Sequence, residues 1–295
     1  MTRAIMLACA AAGALAIAFT LRPPAAPSPA VATEEYGKRL LAHTSELLGP
    51  AYSGTRMSCG SCHLDTGLSP GTLSLLPAAS HYPRQSPRAG ASTDVEDRVN
   101  ECLERSMNGH ALPISSPEMV AMAAYIRALG RRNDAMGASL RRVSEQPFRT
   151  PDRAADPVAG RKYFEERCAS CHGTNGAGLP DANRRAYVFP PLWGADSFND
   201  GAGMHRVLTA ARFIKARMPL GKPDLNDDQA FDLAAYINSQ PRPHKADLER
   251  DYPDRRLKPV DSPYGPFADP FPLAQHRFGP FAPIEAYYLE HKPAR

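Results

Sequence analysis

The chain lacks an excess of charge of either sign. Its 35 Lys and Arg face 31 Asp and Glu, interspersed, for a formal net charge of +4. A nucleic-acid surface needs a concentrated basic face, so that class of partner is excluded. Long apolar runs are equally scarce. The only one, residues 4–21, follows Arg3 near the N-terminus, and no stable membrane partner is expected from what comes after it. Cysteine is sparse too, with 6 in all, one of them, Cys9, inside that apolar run.

The N-terminal run fits a secretory signal segment. Ala30-Val31-Ala32 offers a small-residue cleavage site, and residues 1–32 are expected to be removed on export to the periplasm. The alternative is an uncleaved anchor with the Pro/Ala-rich residues 22–32 as its tether. Some 260 residues remain, enough for two domains.

Four of the remaining cysteines fall in a repeated pattern. Cys59-Gly60-Ser61-Cys62-His63 and Cys168-Ala169-Ser170-Cys171-His172 both read C-x-x-C-H, the attachment signature of c-type haem. Two thiols add to the vinyl groups, and the adjoining histidine reaches the iron from the same turn. A structural zinc would need a second ligand pair nearby, and a redox disulfide would not need the histidine. Each motif is followed by a helix bearing the same tetrapeptide, Ala123-Ala124-Tyr125-Ile126 and Ala234-Ala235-Tyr236-Ile237. The reading is a duplicated all-α chain: two tandem cytochrome c domains (33–130 and 158–240), a linker (131–157) and an irregular C-terminal arm (241–295) rich in proline and aromatics. The arm is expected to be extended and packed across the domains, with a structural role.

Helices are expected over Glu34–Leu48, 94–107, Ser116–Leu129, Ala159–Arg167 and Asp227–Asn238. The second is predicted from Thr93 and Glu96 as a capping box and Asn108-Gly109 as a stop. Along it Arg98, Cys102 and Ser106 recur at i, i+4 and i+8, which places a cation, a thiol and a hydroxyl on one face.

His63 and His172 are the expected fifth ligands. For the second haem the sixth is Met218, in a glycine-flanked Met-Pro loop, with Met204 as the rival. The first half lacks that methionine, because Leu112-Pro113 stands where the second half has Met218-Pro219. Cys102 is therefore the candidate donor to the first haem, with Met107, Met119, Met122, His81 and His110 as alternatives. A thiolate would hold the first haem at low potential and a methionine the second higher, so electrons would run from haem 1 to haem 2.

These residues resemble the dihaem thiosulfate dehydrogenase (tetrathionate-forming) family of periplasmic cytochromes c. The resemblance rests on both haem motifs, the stretch RVNECLERSMNG, the KARMPLG loop and the tail from Tyr252 through PYGPF and QHRFGPF. It implies two covalently attached haem c groups and oxidation of two thiosulfate ions to tetrathionate, or the reverse. It implies Cys102 as the haem-ligating catalytic cysteine opposite His63, Arg98, Ser106 and Arg88 as active-site residues, and Met218 as the second haem's ligand. Arg84 is a substitute for Arg88, and Arg105 a further cation. Some relatives have a lysine before the methionine that competes for iron; Arg217 stands there in this chain. The implied partner is a soluble electron acceptor such as a small cytochrome c or iron-sulfur protein. Two other functions compete: an electron-carrier cytochrome without substrate chemistry, and a haem-thiolate subunit of a multi-protein sulfur-oxidising complex.

Overall fold

A computed structural model describes residues 33–136 and 147–291. The expected signal segment and the middle of the expected linker lie outside the described residues. The described chain is helical apart from two antiparallel two-stranded ribbons, β1 (Arg84–Ser86) with β2 (Ala91–Thr93) and β3 (Leu179–Pro180) with β4 (Tyr187–Phe189). No helix among the described residues is long and apolar enough to cross a membrane.

Each half is built on one helix crossing. In the first, α1 (Glu34–Ala42) packs on α4 (Pro117–Met136); in the second, α5 (Pro157–Arg167) packs on α8 (Asp227–Ser239). Their starts are set locally. The Thr33 hydroxyl accepts from Tyr36 N and the Asp156 carboxylate from Val158 N and Ala159 N, while Asn226 and Gln229 form a reciprocal box. A glycine sits at each crossing. A Cβ on Gly37 would lie 2.0 Å from Ala121 O and 2.8 Å from Tyr125 Cβ; on Gly160 it would lie 2.0 Å from Asp232 O and 2.9 Å from Tyr236 Cβ. The repeated tyrosine of the tetrapeptides thus meets a repeated glycine, and the duplication is one of packing as well as of sequence. Leu40, Leu41, Met119, Met122 and Leu129 fill the first core; Phe164, Phe231, Leu233 and Ala234 fill the second.

Several element boundaries differ from expectation. The first helix breaks at His43 into α1 and α2 (Thr44–Leu48), because the Thr44 hydroxyl turns back to Leu40 O at 2.8 Å and accepts from Cys59 N at 3.0 Å. The Cys102 helix, α3, spans Val95–Arg105. Its cap is Asp94 paired with Asp97 rather than Thr93 with Glu96, since Thr93 is taken up by β2. α4 runs past Leu129 to Met136, so the expected linker begins as helix. A helix α7 (Val207–Arg217) follows the short α6 (Ala169–His172), and its last turn delivers the Met218 loop.

The arm is packed as expected but is not free of helix. It contains α9 (Leu273–Phe278) and α10 (Ala282–Glu290). α9 is too short to show a period, and α10 buries only Ile284, beside Phe281 on the second core. Upstream, the arm fastens onto the first half: the Asp251 carboxylate accepts from Arg105 Nη2 at 2.6 Å and from the Tyr264 hydroxyl at 2.7 Å, and Tyr252 N donates to Arg88 O at 2.8 Å. The halves are also joined directly. Arg56 donates to Asp196 through Nε (2.6 Å) and its backbone N (2.9 Å), and Asn199 Nδ2 donates to Glu104 O at 2.8 Å.

The crossing geometry predicts that Gly37→Ala destabilises the haem-loaded protein by about 3 kcal/mol, lowering its thermal midpoint by about 6–12 °C. Calorimetry of the purified variant checks this; an unchanged midpoint would mean that the helices part at no cost.

Candidate active site

The first C-x-x-C-H motif forms a tight turn over Cys59–Ser61, capped by Ser58, whose backbone N donates to Ser61 Oγ at 3.2 Å. Thr44 ties this turn to α1. Its product is the orientation of His63, whose Nδ1 lies 2.7 Å from Leu73 O. A carbonyl only accepts, so Nδ1 carries the proton and Nε2 keeps its lone pair for a metal. Leu73 holds that carbonyl in place with φ of 60°, in the left-handed region that a leucine rarely occupies. The second motif repeats the arrangement: His172 Nδ1 lies 2.8 Å from Pro190 O, and burial lowers the imidazole's pKa further than that bond raises it.

His63 and Cys102 line one cavity of about 120 Å³, together with Arg98, Tyr82, Cys59, Met122 and apolar side chains from α1, α3 and α4. α3 brings in the thiol and the guanidinium from adjacent turns. Burial pushes the Cys102 thiol up, but the Arg98 guanidinium and the His63 imidazole outweigh it and bring the thiol down to about 7 from an ordinary 9.0. Arg98 is in turn held above its usual value, first by Cys102, against its own desolvation, and also by Glu101. Its Nη1 donates to Glu101 Oε2 at 2.8 Å. Tyr82 stands near the same charges. Burial raises its hydroxyl, Arg98 and Arg84 lower it, and Cys102 and Glu101 raise it.

The other expected site residues are placed unequally. Ser106 caps the C-terminus of α3 and does not line the cavity; among the described residues its hydroxyl has no hydrogen-bond partner. Arg88 lies outside the cavity lining, with Nη1 donating to Gly201 O at 3.4 Å, Nε 4.0 Å from Asp251 and its guanidinium over the Tyr252 ring. Burial lowers its pKa, and Tyr252, Tyr264 and Glu101 raise it by more. Arg84 is exposed and sits over the Tyr82 ring. Arg105, expected as a spare cation at the site, is instead buried against Asp251.

Among the alternative donors, Met122 lines the cavity, while Met107 and Met119 are buried in the core. His81 and His110 are exposed. Leu112 is buried as well: Asn100 clamps it, donating from Nδ2 to its carbonyl at 3.0 Å and accepting from its N–H at 2.8 Å. Thr44, Leu73, Tyr82, Glu101 and Asp251 escaped the reading of the sequence. Glu101 alone carried a signal there, as the neighbour of Cys102 at i+3 from Arg98.

Around the second motif lies a larger cavity of about 780 Å³. Cys168, Cys171, His172, Phe189, Leu192, Met204 and Met218 line it, and so do Ser58, Gly60 and Cys62 of the first motif. Met218 is at the mouth of the Met-Pro loop beyond α7; Met204 packs against both cores. Arg217 turns aside, bonding through Nη2 to Pro70 O.

The residues present fit haem. None of the four motif cysteines is tied up in a disulfide, both histidines offer Nε2, and apolar side chains dominate the adjoining cavities. Among the described residues no group of three or more His, Cys, Asp and Glu could hold a metal ion, which leaves the zinc reading without ligands.

The SoxA/TsdA cytochrome c domain family matches residues 50–134, and the cytochrome c oxidase cbb3-type subunit III family matches residues 155–237. The thiosulfate dehydrogenase of Allochromatium vinosum is 39% identical over 212 residues, covering 70% of this chain and 77% of that protein. That of Thiomonas intermedia is 33% identical over 248 residues, covering 81% and 77%. That of Psychrobacter arcticus is 38% identical over 221 residues, covering 74% and 66%. Among solved structures, the thiosulfate dehydrogenase TsdBA of Marichromatium purpuratum superposes with a TM-score of 0.65 at 32% identity. The match covers 81% of this chain but 50% of that one, so the chain spans half the length of that solved relative. With two cytochrome c domains and two attachment motifs, the chain carries two covalently bound haem c groups, and it belongs to the dihaem thiosulfate dehydrogenase family.

Proposed function

We propose that this protein oxidises two thiosulfate ions to tetrathionate at the Cys102 cavity and passes two electrons to an external acceptor. The observation that carries this reading is the meeting of Cys102, Arg98 and His63 in one cavity. The relatives named thiosulfate dehydrogenase supply the substrate class. The first domain (33–130) is read as catalytic and the second (158–240) as the electron-transfer domain.

When bound, the haems supply one-electron acceptors, two of which together take up the two electrons that the reaction releases. His63, through its Nε2, and Cys102, through its sulfur, are the residues that would hold the first haem's iron. Arg98 stabilises the Cys102 thiolate and offers N–H donors to a sulfonate group, with Arg88 and Ser106 as the further anion contacts. The sulfur chemistry then balances on Cys102. Its thiolate and the sulfane sulfur of one thiosulfate join in an S–S bond as two electrons leave. A second thiosulfate attacks the sulfane sulfur of that adduct, tetrathionate departs, and the thiolate returns. Cleavage of the adduct releases no further electrons. Leu112, buried and clamped by Asn100, supports the choice of a thiolate, since the first half offers no methionine at that loop.

The larger cavity touches both attachment motifs, which supports electron passage from the first site to the second. We assign Met218 as the sulfur donor opposite His172, because it ends α7 on a short Met-Pro loop while Met204 is wedged between the two cores. Export to the periplasm rests on the apolar run at residues 4–21, and a small cytochrome c or iron-sulfur protein is the acceptor proposed.

Cys102→Ala should attach two haems normally yet lose thiosulfate oxidation and tetrathionate reduction by about 100-fold or more. Steady-state assays in both directions check this, and a variant with retained turnover would remove Cys102 from the chemistry. For the second site, a redox titration of Met218→Leu should show the haem 2 midpoint lowered, while Met204→Leu leaves it in place. The reverse pattern would assign Met204.

A further inference from the structure

Besides the thiol and the cation, α3 carries a carboxylate that lies outside the cavity lining and reaches the site through Arg98. Glu101 precedes Cys102 in the chain, its side chain is 20% exposed, and its Oε2 receives the Arg98 Nη1 hydrogen bond at 2.8 Å. Arg98 lines the Cys102 cavity. No other side chain is recorded as bonding to Arg98 among the described residues.

A carboxylate here is costly in one respect. The site already contains a thiolate and must receive dianions, and a like charge beside them weakens anion binding. A partly exposed pair within one helix adds little to its stability, so it does not by itself account for the position. The carboxylate does offer Arg98 an anionic oxygen, as a sulfonate would.

We propose that Glu101 is a resident anion that engages the Arg98 guanidinium through Nη1 in the empty enzyme, is displaced by the substrate's sulfonate, and competes with bound product for the same guanidinium. Glu101 is thus a specificity-determining and positioning residue. It keeps Arg98 aligned on Cys102 between turnovers, raises the threshold against singly charged anions, and hastens departure of tetrathionate. This rests on the reading of Cys102 and Arg98 as the thiosulfate site.

The test uses Glu101→Gln, which keeps the shape and one hydrogen-bond acceptor while removing the charge, on holoprotein carrying both haems. Inorganic sulfate serves as an inert dianionic probe, measured by calorimetric titration. Loss of the competitor should tighten sulfate binding about fivefold, and lower both KM for thiosulfate and kcat as product lingers. Glu101→Asp should return sulfate affinity towards the parent. Weaker sulfate binding, or unchanged sulfate affinity and KM, in Glu101→Gln would overturn the proposal. Arg98→Gln separates the two readings. If it abolishes sulfate binding while Glu101→Gln fails to tighten it, only the role of Glu101 falls; if it leaves sulfate binding intact, the site assignment falls with it.

Discussion

The arrangement depends on one electrostatic opposition inside a small apolar cavity. A thiolate in an apolar cavity without a partner is unfavourable, and Cys102 is only partly open to solvent. Arg98, one helical turn earlier, is the permanent cation that offsets that penalty, and His63, from the attachment turn, faces the same cavity; the thiol comes down to about 7 from an ordinary 9.0. The pairing is local to α3 in its cation and long-range in its imidazole. It therefore exists only when the first half is folded around the attachment motif.

Much of the remaining structure serves to keep those partners in register. Thr44 links α1 to the Cys59 turn, Leu73 lends its carbonyl to His63, and Asn100 holds the Leu112 loop in the core. The C-terminal arm reaches back to the same region. Asp251 neutralises buried Arg105 at the end of α3 and stands 4.0 Å from Arg88, while Tyr264 completes the cluster. Removing one partner from a buried pair of this kind costs about 3–5 kcal/mol, so the arm and the site-bearing helix are energetically one unit. The arm's expected role is structural, and its Asp251 also stands beside Arg88, the arginine proposed to bind substrate.

The duplicated helical architecture and both attachment motifs were legible because they repeat with their spacing intact, and Cys102 stood out as the cysteine that no motif claimed. The helix face was legible too, since Arg98 and Cys102 obey the i, i+4 period and do share a cavity. At the far end Ser106 keeps helical backbone, with φ of -73° and ψ of -33°, and its N–H still bonds to Cys102 O at 2.7 Å; it is the capping residue of α3 and lies outside the cavity lining. Other features had no local signature. The Asp94 cap displaced Thr93 because a strand pair competes for that residue, and no spacing rule links Asp251 to Arg105. The helices of the arm were hidden because their burial comes from single residues such as Ile284 rather than from a stripe.

The central claim is that sulfur from Cys102 binds the first haem iron opposite His63. Low-temperature electron spin resonance of the oxidised holoprotein tests it directly. Two distinct low-spin species are predicted, one with the narrow g-spread of histidine/thiolate ligation that disappears in Cys102→Ser, and one of histidine/methionine type that persists. A spectrum in which both species survive that substitution unchanged would contradict the account.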